Sequence, residues 1–435
     1  MRQLRTGGCV IALLGLLGLA TACASAPVSP AGSGARETAI TTSAAPSGAV
    51  AGHSQTGAAE SAASAAAAKA VAEKEAAAKE HGAVATAKAG AAVKRADLFN
   101  GVSCAGAQCV AVGAWYYGIT REHTLVEQWT GKAWILEPSP DGPKYSSLAA
   151  VSCAPASSAT SAGCLALGAP ILAGYGSHWR VIASPSDAAD LDAVSCASAD
   201  ACMAVGTGSG TALVFATWNG KTWHAGTMHA PPPQAQQADI AAVSCAAADD
   251  CVAVGNYAYG LTAQPSPAYR DKTLAERWNG RSWSLLPGTV DVSHNDEFTA
   301  VSCPAADDCT AVGDNQGQYP LAERWNGKTW RVEPMPTVSS IGYLELAGVS
   351  CPAAGFCVAA GTYQDTPVAE TWDGKTWRLT QLPEPPGGDL YTQVSAVSCA
   401  SSQSCVAVGD TVPANTFAEV YAHGKWRLSA TRNPT

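Results

Sequence analysis

Phe298-Thr299-Ala300-Val301-Ser302-Cys303, then Cys309-Thr310-Ala311-Val312-Gly313, then Leu321-Ala322-Glu323-Arg324-Trp325-Asn326-Gly327-Lys328-Thr329-Trp330-Arg331-Val332 hold the pattern that decides the fold. The first segment is short and rich in β-formers. The second follows a tight polar loop, and Leu321 to Trp325 alternates in character. Asn326-Gly327 predicts a two-residue type I′ hairpin, because both residues tolerate the positive φ that turn demands. Thr329 to Val332 is the fourth strand, ended by Pro334 and Pro336. The unit therefore predicts four antiparallel strands.

The same phrase recurs along the chain, marked by the cysteine pairs Cys104/Cys109, Cys153/Cys164, Cys196/Cys202, Cys245/Cys251, Cys303/Cys309, Cys351/Cys357 and Cys399/Cys405. First-cysteine spacings are 49, 43, 49, 58, 48 and 48 residues. A period near 50 marks a repeat architecture whose units stack to bury their apolar faces. Seven four-stranded units without a helical period predict an all-β, seven-bladed β-propeller over residues 98–435.

Residues 1–22 have the layout of an export signal. Arg2 and Arg5 precede an apolar run from Cys9 to Ala20, too short for a comfortable membrane span. Ala20-Thr21-Ala22 then precedes Cys23, as in a bacterial lipoprotein cleavage box, although Leu19 stands four residues before the cysteine and Ala20 three. Lipidation at Cys23 and anchoring to the outer face of the cell membrane are expected, with ordinary secretion as the alternative. Of 16 cysteines, setting aside Cys9 and Cys23 leaves 14, all in the seven close pairs. Outside the cytoplasm such pairs oxidise. Facing residues on antiparallel strands have Cα atoms about 4.5–5.5 Å apart, within disulfide range. One disulfide per unit is predicted, each worth about 2.4 kcal/mol by loop closure. Metal binding is the rival, and it lacks both C-x-x-C spacing and a repeated histidine.

Residues 23–97 read as a low-complexity tether, first disordered and then rich in Ala, Lys and Glu, including Glu75-Ala76-Ala77-Ala78-Lys79. Twelve of the 13 tryptophans fall in the third-to-fourth-strand hairpins. Recurrence in nearly every unit predicts packing between blades rather than ligand stacking. Glu127, Glu276, Glu323, Glu370 and Glu419 recur likewise, which predicts structural hydrogen-bond acceptors rather than a catalytic pair.

The V-S-C…C-x-A-V-G…E-R-W-N-G-K-T-W unit resembles the repeats of exported actinobacterial propeller proteins over residues 98–435. Gly327-Lys328-Thr329-Trp330 is also similar to the end of the Asp-box hairpin of sialidase-type propellers. Trp325 stands at the Asp position and Glu323 at the Ser position, so the resemblance implies a hairpin shape and no sialidase chemistry. No catalytic residue, metal ligand or cofactor site is carried over, and no cofactor is expected.

In such a unit the first-to-second and third-to-fourth turns share one face, and they are short and uniform. The second-to-third loops and the links between units share the other face, and they vary: Ala114–His123, Gly226–Ala238, Asn256–Lys272, Pro287–Glu297 and Thr380–Gln393. Variable insertions point to the functional face. Trp115, Tyr116, Tyr117, Tyr257, Tyr259, Tyr319 and Tyr363 gather there as ligand candidates, with strand extension or loop cover as the alternative. Asp291, His294, Asp296 and Glu297 form an acidic group read as a solvated loop, since their spacing fits no standard calcium loop. Over residues 98–435, 17 Lys+Arg against 29 Asp+Glu give a net charge of −12, which argues against nucleic acid. The reading is a non-catalytic, membrane-tethered monomer that binds an extracellular protein or glycan. A carbohydrate-active enzyme (a sialidase-like hydrolase or a lyase) and a purely structural envelope protein are the alternatives.

Overall fold

The computed structural model describes residues 95–435 except 118–120, 144–145, 155–162, 186–190, 209–210, 261–269, 288–294, 316–318, 337–343, 387–390, 413–414 and 434–435. It also describes Arg5–Thr6 and Cys9–Val10, which pair as a two-stranded antiparallel ladder. Cys23, the rest of the leader and nearly all of the tether lie outside the described residues.

The chain from residue 95 builds seven four-stranded antiparallel sheets. These are blades 1 to 7, spanning 95–136, 147–181, 191–227, 237–285, 296–332, 344–381 and 391–429. The seven-bladed propeller expected from the repeat is the fold observed. Blade 5 runs Asp296–Ala305, Asp308–Asn315, Tyr319–Trp325 and Trp330–Val332, in sequence order across the sheet. Blade 1 starts at Arg95, three residues inside the stretch read as tether, and Asp97 is already buried.

All seven cysteine pairs are disulfide-bonded within their own blades: Cys104–Cys109, Cys153–Cys164, Cys196–Cys202, Cys245–Cys251, Cys303–Cys309, Cys351–Cys357 and Cys399–Cys405. One correction to the simple picture of a strand staple follows. The Cα separations are 3.9 to 4.1 Å, closer than the expected strand spacing. The second cysteines are core residues. Cys109, Cys251, Cys309, Cys357 and Cys405 are at most 3% exposed. Each packs in an apolar cluster beside a tryptophan of its own blade, as Cys109 does with Trp134, Cys251 with Trp278 and Cys405 with Trp426. The physical reason is their place on the second strand, which the rest of the blade and its neighbour cover on both faces. An oxidised cysteine has no polar hydrogen to satisfy there and serves as a small apolar filler.

Small apolar residues on the second strands make the rest of the core. Val110 to Val112, Val252 to Val254 and Val406 to Val408 are at most 2% exposed. Each core cluster joins residues of two blades, as where Val252 and Val254 of blade 4 pack with Phe298 and Trp330 of blade 5. The hairpin aromatics stack in uniform tilted pairs, with centroids 5.3 to 5.8 Å apart from Trp218/Trp223 through Trp278/Trp283 to Tyr421/Trp426. Their recurrence is packing, as expected.

The repeated glycine of C-x-A-V-G answers to a bulge. In blade 5 the pairing of first and second strands shifts between Phe298 and Ala300. A Cβ on Gly313 would lie 1.9 Å from the Glu297 carbonyl oxygen. Gly113, Gly255, Gly361 and Gly409 face the same obstruction in their blades.

The Asn-Gly turn differs from its prediction. Trp325 pairs with Trp330, so the loop holds four residues. Gly327 alone of the pair has positive φ. The Asn326 side-chain oxygen accepts from the backbone N–H groups of Lys328 and Thr329, both at 3.0 Å. Asn326 thus acts through its side chain, as an Asx turn, and keeps ordinary backbone geometry. Asn219, Asn279 and Asp373 do the same.

Candidate binding face and the seams between blades

The antiparallel order places the disulfide turns and the Asx turns at one end of the ring. The second-to-third turns and the links between blades lie at the other. One of the expected loop insertions at that second end, Ala114–His123, is mostly strand, and both flanks of another, Asn256–Lys272, are strand. In blade 1 the second and third strands run Gln108–Tyr117 and Arg121–Trp129. In blade 4 they run Asp250–Tyr259 and Arg270–Trp278. The tyrosine-rich stretches are good β-formers and continue the ladder beyond the body of the blade.

The candidate aromatics divide accordingly. Trp115 is half-buried and stacks on His123, with centroids 4.1 Å apart and planes at 15°. His123 in turn meets Asp141 at 2.6 Å. Tyr116 donates from its hydroxyl to Glu122 at 2.8 Å. Tyr117 ends the same strand, and its side chain is outside the described residues. Tyr257 packs on the core between blades 3 and 4, and Tyr259 lies 6.2 Å from it with Lys272 above its ring. Tyr319 of blade 5 is 41% exposed. Tyr363 does not belong with them: it is 2% exposed and packs in the core between blades 5 and 6. Blade 6 closes this hairpin with only Gln364 and Asp365, both at positive φ, so Tyr363 stays inside the body of the blade. Of the acidic group, Asp291 and His294 lie outside the described residues. Asp296 is buried at the start of its strand, and Glu297 pairs with Asp314.

All five repeated glutamates are fully buried. Glu276 of blade 4 accepts from the backbone N–H of His229, in the exit of blade 3, at 3.0 Å. Glu127 of blade 1 accepts from Arg432, in the exit of blade 7, at 2.8 Å. Each donor stands six residues after the outer tryptophan of the preceding blade. The same position holds Pro336 before blade 6 and Pro383 before blade 7, and proline has no N–H. Glu370 and Glu419 of those blades have both carboxyl oxygens buried and without a hydrogen-bond partner. Where Pro140 and Pro185 hold the position, blades 2 and 3 carry Leu172 and Ala216 instead of glutamate. Burial pushes Glu127 and Glu276 up to about 7 and Glu419 up to about 8, and it raises Glu370 well above the usual carboxylate range. The acceptor role expected of the set therefore holds for Glu127 and Glu276, while Glu370 and Glu419 are buried acids without a donor. Sequence inspection missed this split, although the prolines that cause it were visible.

A second repeated bond was not anticipated. The serine before each first cysteine accepts from the backbone N–H of the first cysteine in the next blade. The bonds run from Cys153 to Ser103, Cys196 to Ser152, Cys245 to Ser195, Cys303 to Ser244, Cys351 to Ser302 and Cys399 to Ser350, each 2.9 Å long. Cys104 to Ser398, also 2.9 Å, joins blade 1 to blade 7 and closes the circle.

Cavities lie at the disulfide-turn end of the ring, on both sides of blade 3. One of about 260 Å³ lies between blades 2 and 3, lined by Gly163, Ala173, Arg180, Ala199, Asp200 and Trp218 among others. One of about 140 Å³ lies between blades 3 and 4, lined by Asp200, Ala201, Thr217 and Ala248 among others. Among the described residues no cluster of three or more His, Cys, Asp or Glu could hold a metal ion.

No family model matches the chain, and no curated protein matches it. Among solved structures it is similar to the fucose-specific lectin from Aleuria aurantia, at 9% identity and a TM-score of 0.45, over 77% of this chain and 95% of that one. The β-propeller domain of the Trilobed protease from Pyrococcus furiosus is similar at 10% identity and a TM-score of 0.44, over 77% and 99%. YCF48 from Cyanidioschyzon merolae is similar at 15% identity and a TM-score of 0.47, over 76% and 96%.

Proposed function

We propose that this chain is an exported, lipid-tethered propeller that binds an extracellular protein or glycan, without turnover, on its variable face. The supporting observation is the pair of prolonged hairpins in blades 1 and 4, which carry Trp115 and Tyr116, and Tyr257 and Tyr259. Tyr319 of blade 5 adds an exposed ring. Rings with polar tips give apolar area together with hydrogen-bonding capacity, which suits sugar or peptide surfaces. The repeated glutamates give no support to a hydrolase, because they are spaced one per blade inside the seams. Oxidised cysteine pairs and the leader support export.

Glycan and peptide arrays probed with the mature protein test the binding, alongside hydrolysis assays on any sugar that binds. Tyr259→Ala and Tyr319→Ala should each weaken binding about tenfold. Turnover of the bound glycan, or binding indifferent to both substitutions, would overturn the reading. Mass spectrometry of the mature amino terminus should find a diacylglyceryl group on Cys23, and Cys23→Ala should release the protein into the medium.

A further inference from the structure

We propose that the cavity between blades 2 and 3 is a socket for the guanidinium group of an arginine presented by a protein partner. It lies at the end of the ring opposite the variable face, so it is independent of the function proposed above. Blade 5 fills the equivalent seam with an arginine of its own, and blade 4 carries an arginine at the same strand position. Arg324 of blade 5 donates to Asp308 at 2.7 Å and to the Ala354 carbonyl of blade 6 at 3.0 Å. Its guanidinium lies 5.0 Å from the ring centre of Trp372, also in blade 6. Arg277 of blade 4 makes a two-bond pair with Asp250, both bonds at 2.8 Å.

Strand register shows what blade 2 has instead. Arg324 pairs opposite Thr310, the residue after the second cysteine of its blade. The same position in blade 2 is Ala173, opposite Leu165. Asp308, just before that cysteine, becomes Gly163. On the next blade, Ala354 corresponds to Ala199, and Trp372, opposite Cys357, corresponds to Trp218, opposite Cys202. Gly163, Ala173, Ala199 and Trp218 all line the cavity of about 260 Å³. The space is therefore that of an arginine and its aspartate, both deleted, with the tryptophan beneath them retained. Asp200 also lines it, where blade 6 has Gly355, so a carboxylate is supplied from the opposite wall. Between blades 3 and 4 the same replacement recurs in milder form. Thr217 stands for the arginine and Ala201 for the aspartate, and the cavity is smaller, about 140 Å³.

The chemistry that remains selects a planar cation. An indole face attracts positive charge, and a guanidinium can stack on it while donating in its own plane to a carboxylate and a carbonyl. A lysine ammonium would lose the stacking and the fork geometry. The volume falls below the usual range for small-molecule pockets, about 300–1,000 Å³, and suits a side chain. Arg180, exposed and paired with Ala173 on the outer strand, stands at the rim. It disfavours a free cation and favours one carried on a peptide, whose carbonyl groups can accept from it.

The test is a titration of the mature protein with acetyl-arginine amide and acetyl-lysine amide, read by the indole NMR signals. The arginine probe should saturate at about millimolar concentration and the lysine probe should bind at least about fivefold more weakly. Asp200→Asn should weaken the arginine probe about fivefold. Ala173→Arg puts the arginine of blade 5 at its matching place in blade 2 and should abolish binding. Ala173→Met, an uncharged filler, should abolish it as well. Equal binding of the two probes, no saturation by tens of millimolar, or binding that survives both filling variants would overturn the proposal. Arg180→Ala should leave affinity within about twofold. A gain of about tenfold or more would mean that Arg180 itself occupies the socket, which also overturns it.

Discussion

Glu276 and Glu419 stand at the same rung of their blades, yet one meets an N–H and the other faces a position held by proline. A buried carboxylate with a donor is stabilised as an anion, and one without is driven to hold its proton. Glu419 reaches about 8 in the folded protein against an ordinary 4.5. The fold therefore retains a proton there that the unfolded chain releases above about pH 4.5. That contribution is complete below the lower value and is lost as pH rises through the upper one. Melting temperature should fall between pH 5 and pH 9, with Glu419 alone accounting for on the order of 3 kcal/mol. Glu419→Gln should flatten that slope, and an unchanged slope would refute the assignment. Leucine substitutions separate the two kinds of glutamate at neutral pH. Glu276→Leu strands the His229 N–H and should cost about 2 kcal/mol. Glu370→Leu copies blade 2, which carries Leu172, and should be neutral or stabilising by chemical denaturation. The five glutamates were legible in the sequence as a recurring set, but their division was not. The donor belongs to the preceding blade, 47 residues away for His229 and Glu276.

Within each blade, local chemistry explains most of the form. The cysteine pair, the bulge glycine and the Asx turn all act over a few residues, and the repeat makes each of them visible. The burial of Cys109, Cys251 and Cys405 is not visible in that way, because the cover comes from the third strand and the adjoining blade. Gly313→Ala should cost more than about 2 kcal/mol, because its Cβ meets a backbone carbonyl that can move only if the bulge reshapes. Thermal unfolding measures this, and a neutral result would mean that the bulge is soft. Asn-Gly is compatible with two turn geometries, and the register of the flanking tryptophans decides between them. Length and variability suggest insertion for the aromatic stretches of blades 1 and 4, whereas their β-propensity prevails. Tyr363 is hidden from sequence inspection because a two-residue turn cannot be told from the start of a loop until its backbone is seen.

Across the whole molecule, one bond repeated seven times carries the ring from blade to blade. Six of the serine–cysteine bonds span neighbours that the chain already links, at separations of 44 to 59 residues. The seventh joins Ser398 to Cys104 across 294 residues, with Arg432 to Glu127 as its companion across 305. Among the described strands none is exchanged between blades 1 and 7, since each of their sheets is built from consecutive strands. Ser302→Ala and Ser398→Ala should each cost about 1 kcal/mol. Hydrogen exchange should distinguish them: Ser398→Ala should raise exchange in blades 1 and 7, and Ser302→Ala should stay local. Equal patterns would mean that closure does not depend on this bond.

By itself the sequence determined the number of blades, the strands within each one and the pairing of the cysteines, because those features depend on residues close together in the chain and repeated seven times. Tertiary structure alone decided which glutamates find a donor, how the ring closes and where arginine-shaped spaces are left. Each of these depends on two blades meeting at a seam, and a residue's neighbour across a seam is set by strand register and blade packing.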